Sequence, residues 1–552
     1  MNPKNDKPNF LDRGTLTALI LVCIFWFGWS KYMESKYPQP PANAQGNQPA
    51  AGADKVQTAA TGAAPADAQN PAPPAQANAD KGVTAAAAEN VVTYESEFWA
   101  FQISSKGMGL KNIDIRSYKT RENKPIVVGE VKEHYPFATE TLSGVPVDFT
   151  IERTAPDTFV GRGTLPDVPG SVVEKTMKID PATYSIATEI KITNIATAFQ
   201  GFAVPMSDIL IEAQSGSIFN PSYDHQDFFV RHEGTRTRNI IHKADGLDMN
   251  VKGATIAALN HHYFSLASVD RSPVMPNFEA KVPKGADVAT GRLVYQPVGQ
   301  VNSFEAKYVA FAGPKLINVL SVVDEHLTEL IDLGMFAFLA KPMLLLLRFL
   351  NTILNNWGFA IIGLTLIVRL IVMPFNVYSF KSMKAMQKIQ PEMNRIREKY
   401  KDKPPEQKLQ MNAEIMDLMK RSKANPLGGC LPMLLQLPVF IALYAVLGQS
   451  IELYRAPFIL WIHDLSIKDP FYVLPVLMAV VMYLQQKMTP NTMDPQQAKV
   501  MQFMPLIFAF MMISLPSGLT LYIFVSTLFG IIQQWLFMRD RSAVQTVKEA
   551  KA

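Results

Sequence analysis

Apolar positions along this chain fall into three regimes. Near the start, and again over roughly the last 200 residues, they run together for long enough to enter a bilayer, and in between they alternate with polar positions. The first run is TLTALILVCIFWFGW at residues 15 to 29, preceded by Lys4, Lys7 and Arg13, the charge bias of a cytoplasmic N-terminus. The small triplet Ala42-Asn43-Ala44 lies too far beyond the run, past bulky SKYMESKY, for signal cleavage, and Val22 stands before Cys23 where a lipoprotein site needs a small residue. The run is therefore expected to remain as an anchor. Residues 38 to 90 are mostly Ala, Pro, Gln, Asn and Gly; without apolar bulk to offset chain entropy they predict a disordered tether.

From Val91 to Ala312 the period is two. In YSIATEIKIT, Tyr184, Ile186, Thr188, Ile190 and Ile192 share one face while Ser185, Glu189 and Lys191 take the other. Comparable runs at FWAFQIS, TMKID and SFEAKYVAF, separated by Gly, Pro, Asn and Asp clusters, predict an antiparallel β-sandwich. His261-His262 is expected on a strand, with scaffolding or partner contact preferred to chemistry for this domain.

Five spans follow: Trp357–Tyr378, Leu427–Leu447, Phe471–Gln486, Val500–Leu515 and Gly518–Met538, six with the anchor. The stretch 319–356, broken by Lys341-Pro342 and carrying Arg348, is read as a connection and an interfacial amphipathic helix. An even count puts both termini on the cytoplasmic side together with every basic loop, as the positive-inside rule requires. The expected order is 1–37 cytoplasmic N-terminus and uncleaved anchor, 38–90 tether, 91–318 extracytoplasmic β domain, 319–356 interfacial segment, 357–378 span, 379–424 basic hairpin, 425–447 span, 448–470 outer loop, 471–486 span, 487–499 inner loop, 500–515 and 516–538 spans, and 539–552 tail. Within 379–424, Met383, Met386, Ile389, Met393, Ile396 and Tyr400, then Leu409, Met411, Ile415, Leu418 and Met419 beyond KDKPPE, predict two helices of a hairpin. With twelve Lys or Arg against six Asp or Glu over 377–427, the hairpin is either a headgroup-facing solvated element or a docking arm for ribosome, nascent chain or targeting receptor.

The run WGFAIIGLTLIVRLIVMP carries Arg369 inside a span, where a cation is costly and asks for a partner or water. Thr365, four residues earlier, shares its face. Taking Trp357 and Tyr378 as interface markers puts Arg369 about 13 Å from the inner end, in the cytoplasmic half. Gln436 and Tyr444, then Tyr522, Ser526, Gln533 and Gln534, are further polar side chains in spans. Arg369 either snorkels to a carbonyl or water, or lines a wet, positive groove that receives a polar segment of another protein. Met501, Met504, Phe508, Met511 and Met512 fit an adaptable apolar slide or ordinary core filling.

Composition narrows the chemistry. The net charge of +5 over 552 residues is too small for a nucleic-acid binder, and Cys23 and Cys430 offer neither a disulfide framework nor a cysteine zinc site. All eight histidines lie at or before His463, outside the spans, so Ser517 in PSG has no intramembrane base and is read as a turn residue. Asp464 and Asp469 are read as a turn and a cap. The five C-terminal spans contain no Asp or Glu, which disfavours an ion-coupled transporter. No enzyme chemistry, cofactor or metal is expected.

NWGFAIIGLTLIVRLIVMP, NPLGGCLPMLLQLPVF, APFILWIHDLSIKDPFYVLP and PSGLTLY, in this order around a basic hairpin, closely resemble the YidC/Oxa/Alb family of membrane protein insertases in its Gram-negative form. The resemblance implies a polytopic α-helical protein with six transmembrane helices, five of them a core, a periplasmic all-β supersandwich and a cytoplasmic hairpin. It implies an inner-membrane insertase and chaperone for nascent membrane proteins, acting alone or beside the Sec translocon and its accessory subunits, within the lipid bilayer. It matches Arg369 to the family's groove arginine, Thr365 to the polar residue one turn before it, and Tyr522 to the first of an aromatic pair whose second position is Ile523 here. With Gln436, Ser526 and Gln533 these form the expected groove. The substrate slide maps to Cys430, Leu431 and Met433 through Phe440, and to Met504 through Phe508.

Overall fold

Alternate residues of Ser185–Thr193 bury Ile186, Thr188, Ile190 and Ile192, and that one-sided burial makes the segment a strand rather than a helix. It pairs antiparallel with Ser303–Pro314 on one side and Val172–Asp180 on the other, setting Ile190 beside Ala306 and Lys175. These strands belong to a nine-stranded sheet, and sheets of five and four strands complete the domain. Trp99, Phe101, Phe159, Phe202, Phe228, Phe278, Tyr295 and Tyr308 fill its interior, each contributing about 1.5–3 kcal/mol by burial.

The register carries Lys175 onto the buried face. Its Nζ donates to the carbonyls of Gly107, Met108 and Phe137 at 3.0, 3.2 and 2.6 Å. Burial pushes this amine down to about 7, opposed by the Glu140 carboxylate.

The computed structural model describes residues 89–195, 199–211, 225–401, 403–422, 431–488 and 495–538. The expected anchor, nearly all of the tether, Cys430 and the tail lie outside them. All the described residues belong to one compact unit, Ala85–Ala552.

Beyond the β domain come α1 (Ile317–Val323), α2 (Ala337–Leu354), α3 (Trp357–Lys399), α4 (Pro405–Arg421), α5 (Leu431–Gln449), α6 (Val473–Met488), α7 (Pro495–Met512) and α8 (Ser517–Met538). Among the described residues α2, α3 and α8 are long and apolar enough to cross a membrane, while α6 and the apolar part of α5 are shorter. Asn355, in the left-handed conformation at φ 51°, ends α2. Asn356 then caps α3, its Oδ1 accepting from the amides of Gly358 and Phe359.

No helix end falls at the expected boundary between residues 378 and 379. α3 is continuous over 43 residues, about 64 Å at 1.5 Å per residue, so its second half leaves any 30 Å hydrocarbon layer that its first half crosses. There α4 folds back against it around Met386, Ile389, Met393 and Ile415, with Lys399 paired to Glu414 at 3.1 Å. Leu409, expected on the inner stripe, is exposed instead.

The β domain sits on the loop between α5 and α6. Tyr454 donates to the carbonyl of Lys119, Arg455 to the carbonyl of Thr120 and the amide oxygen of Asn123, and Arg121 pairs with Asp464 at 3.6 Å. His261 and His262 lie in the turn between strands Ala254–Asn260 and Phe264–Asp270, not on a strand as expected. The turn is what lets His262 reach the carbonyl of Gly448 at the end of α5, 2.7 Å away, while His261 pairs with Asp208 at 2.9 Å. Burial lowers the His262 pKa to about 3, so the ring bonds Gly448 as a neutral donor.

Candidate intramembrane groove

α3 and α8 run side by side in the same direction. Arg369 on α3 meets Ser526 on α8, its Nε donating to the hydroxyl at 2.7 Å, and seven residues on in both helices Asn376 meets Gln533. Seven residues are two turns, about 10.5 Å, so the two contacts are successive rungs on one seam.

The first rung extends sideways. Tyr522, one turn before Ser526 and on its face, is buried, and its hydroxyl accepts from Gln436 Nε2 of α5 at 2.8 Å. Gln436, Tyr522, Ser526 and Arg369 thus form a polar line across α5, α8 and α3. Gly530, one turn beyond Ser526, leaves the space that the guanidinium occupies. A Cβ there would stand 3.8 Å from both terminal nitrogens of Arg369 and 3.3 Å from Gln485 Nε2 of α6.

Arg369 is half-buried, and among the described residues no acidic side chain pairs with it. A cation inside a helical membrane core that keeps four guanidinium N–H donors beyond the Ser526 bond is set up to bind an acceptor.

The structure does not gather all the expected residues. Thr365 is fully buried but spends its hydroxyl on the carbonyl of Ile361, 2.6 Å away in its own helix, so it shapes the wall rather than joining the line. Gln533 belongs to the second rung. Ile523, in the second aromatic position, is buried beside Tyr522. Asn376, Gln485 and Gly530 were not anticipated, and their signals were faint: a seven-residue step from Arg369, a lone amide, and a glycine four residues after Ser526.

Of the expected slide, Phe440 and Phe508 are half-buried, while Leu431 and Met433 fall in the first turn of α5 and Met504 within α7, with side chains outside the described ones. Leu506 and Ile507, within the expected Met504 through Phe508, are exposed, and Phe503 and Phe510 of α7 with Val476, Val480 and Leu484 of α6, which were not singled out in the sequence, are exposed apolar residues as well.

At the other end of the seam, the loop between α5 and α6 closes over the start of α8. Ser517 donates from its hydroxyl to the Asp464 carbonyl at 3.0 Å and from its amide to Ile467, and the Gly518 amide donates to Leu465 at 2.9 Å. Asp464 accepts from the amides of Arg455 and Ser466, and Asp469 from those of Phe471 and Leu474, so these acids serve turns and the start of α6.

A family model described as the YidC periplasmic domain matches residues 95–346, and one described as the 60Kd inner membrane protein matches 349–544. The membrane protein insertase YidC of Syntrophus aciditrophicus is 33% identical over 569 residues, covering 95% of this chain and 99% of the relative. The chain belongs to the YidC family of membrane protein insertases. Its counterpart from Cupriavidus metallidurans is 35% identical over 536 residues, covering 93% of this chain and 92% of the relative. A crystal structure of an active YidC insertase with the first transmembrane domain resolved aligns at a TM-score of 0.37 and 19% identity, over 80% of this chain and 91% of that one. In this YidC family member the two matched regions meet inside α2, on either side of residues 347 and 348. Arg348, at that junction, pairs with Glu452 of the loop between α5 and α6.

Proposed function

We propose that this insertase takes up the hydrophilic end of a nascent membrane protein in a groove built on Arg369, Tyr522, Ser526 and Gln436, and releases the apolar segment to lipid along α5, α6 and α7. The observation that carries this reading is Arg369, held by Ser526 on a membrane helix with no acidic partner among the described residues. A fixed cation offsets part of the dehydration cost of an acidic or polar segment on its way across. The exposed apolar residues of α6 and α7 supply the greasy side, with Met433, Phe440, Met504 and Phe508 as slide contacts. No covalent step, cofactor or metal is needed.

In this reading α3 to α4 form a cytoplasmic hairpin that meets the ribosome, nascent chain or targeting receptor, both termini are cytoplasmic, and the β domain faces the periplasm. The basic hairpin and loops support that orientation. α2 lies in the outer interface, since Lys341-Pro342 interrupt its apolar run and Arg348 ties it to the outer loop. Action alone and beside the Sec translocon is carried by the resemblance to the family.

Depletion and complementation test the groove. Arg369→Ala is expected to impair insertion of single-span clients with acidic tails, and Arg369→Lys to retain most of it. Equal insertion of every such client by Arg369→Ala and wild type would overturn the electrostatic role. Site-specific crosslinking from Met433 or Met504 to a stalled nascent chain tests the slide.

A further inference from the structure

Asn376 and Gln533 lie in the seam between α3 and α8, each 3% exposed. Asn376 Nδ2 donates to Gln533 Oε1 at 3.2 Å, while Asn376 Oδ1 and Gln533 Nε2 have no partner among the described residues. Two carboxamides joined by one hydrogen bond leave one carbonyl oxygen and one amide nitrogen without a partner, whichever way round the pair is set. A peptide group offers the complement, one N–H and one C=O.

We propose that Asn376 and Gln533 are a main-chain recognition site for the client. A client N–H donates to Asn376 Oδ1, and Gln533 Nε2 donates to a client C=O. The site deepens the groove reading and rests on it. In the structure the leftover atoms are shut inside the seam, held by a single neutral bond, so parting the two side chains sacrifices one hydrogen bond and admitting a peptide group makes two. An extended segment in a membrane interior carries main-chain groups that must find partners within protein. The spacing suits one segment on both rungs: the 10.5 Å between them is about three residues of extended chain at 3.3–3.6 Å each. An acidic side chain at Arg369 therefore places a peptide group three residues away at Asn376 and Gln533. The first rung reads charge and the second reads the backbone that every client has. A seam amide that merely pins helix register, as in coiled coils, predicts no dependence on the client's main chain.

The test uses the full-length protein in vesicles of zwitterionic and anionic phospholipid and a single-span client with a short neutral tail. The tail is made once rich in alanine and once with alternate prolines, which lack the N–H. For the Asn376→Leu, Gln533→Leu double variant, insertion of the alanine tail is expected to fall about fivefold, the size of one neutral hydrogen bond, with the proline tail changed less than about twofold. The exchange variant Asn376→Gln, Gln533→Asn, which keeps both carboxamides, is expected to restore the alanine tail. No loss with either tail, or equal loss with both accompanied by a lowered melting temperature, would overturn the proposal. An acidic-tailed client with Arg369→Ala runs alongside. If that variant inserts it normally, the groove reading fails; if it does not and the leucine pair inserts the alanine tail normally, only the main-chain site fails.

Discussion

Arg369 and Ser526 face each other across α3 and α8, the guanidinium Nε donating to the hydroxyl at 2.7 Å. One bond orients the fork and leaves its other N–H donors over. In the proposed groove Ser526 is then a positioning group and Arg369 the binding group. Ser526→Ala is expected to lower acidic-tail insertion by about tenfold, the scale of one hydrogen bond to a charged group near 1.5 kcal/mol, while Arg369→Ala costs more. Insertion assays that rank the two in reverse order would contradict this division.

Gly530 sets the floor under the guanidinium. An alanine methyl at 3.8 Å from its nitrogens and 3.3 Å from Gln485 is accommodated by a small shift of that flexible amide. A leucine is not, because it fills the volume the guanidinium holds. Gly530→Ala is expected to insert clients near the wild-type rate, and Gly530→Leu to approach the defect of Arg369→Ala while the protein stays folded by thermal melting.

The seam itself explains what the sequence could and could not disclose. Period-two burial around Ile186 to Ile192 and the apolar runs of α3 and α8 are one-dimensional signals, so the β domain and main helices could be read directly. Arg369 announced itself as a charge in an apolar run. Asn376 and Gln485 did not, since a single amide in a helix gains meaning only from the helix packed against it, and α8 lies more than 150 residues away in the chain. Thr365 shows the same limit: sharing a face with Arg369 does not decide whether a hydroxyl turns to a neighbour or to its own helix, and here it bonds the Ile361 carbonyl. The pair His261-His262 was misplaced because turn and strand differ there by two residues and by contact with Gly448.

Arg348 and Glu452 join α2 to the loop after α5, with side chains 20% and 12% exposed. Removing one partner leaves a mostly buried charge, so Glu452→Ala is expected to destabilise by about 2 kcal/mol, between the values for exposed and fully buried pairs. Arg348→Met with Glu452→Leu should recover much of that loss, because no charge is left stranded. Melting temperatures of the two variants in detergent check the order.

Lys175 and Lys315 are buried in or beside the β domain, and burial pushes each amine from 10.5 down to about 7. Between about pH 7 and 10.5 the unfolded chain binds protons that the folded chain does not, so stability rises with pH through this window and is lost as pH falls back toward 7. The slope is at most about 1.4 kcal/mol per pH unit for each lysine, and less at Lys175, where three carbonyls favour the charged form. Melting temperature is expected to climb from pH 7 to 9, and Lys175→Met to flatten part of the climb.

The β domain is fastened to the loop between α5 and α6 at the turn following strand Leu110–Lys119. Arg455 holds the Thr120 carbonyl at 3.0 Å and the Asn123 side chain at 2.8 Å, and Arg121 reaches Asp464. Asp464 in turn receives the Arg455 amide and passes its own carbonyl to Ser517 at the head of α8. The fastening and the closure over the start of α8 therefore share one residue. These contacts are partly exposed, so each contributes only about 0.5–1 kcal/mol, but they act in series. Arg455→Ala with Arg121→Ala is expected to free the β domain without unfolding it, seen as faster protease cleavage within 119–124 at an unchanged melting temperature. Asp464→Ala should add greater solvent accessibility of a cysteine placed at Ser517, because it removes the turn that carries the carbonyl. Unchanged labelling at that position would separate the two elements and leave the rest of the loop between α5 and α6 as the seal on its own.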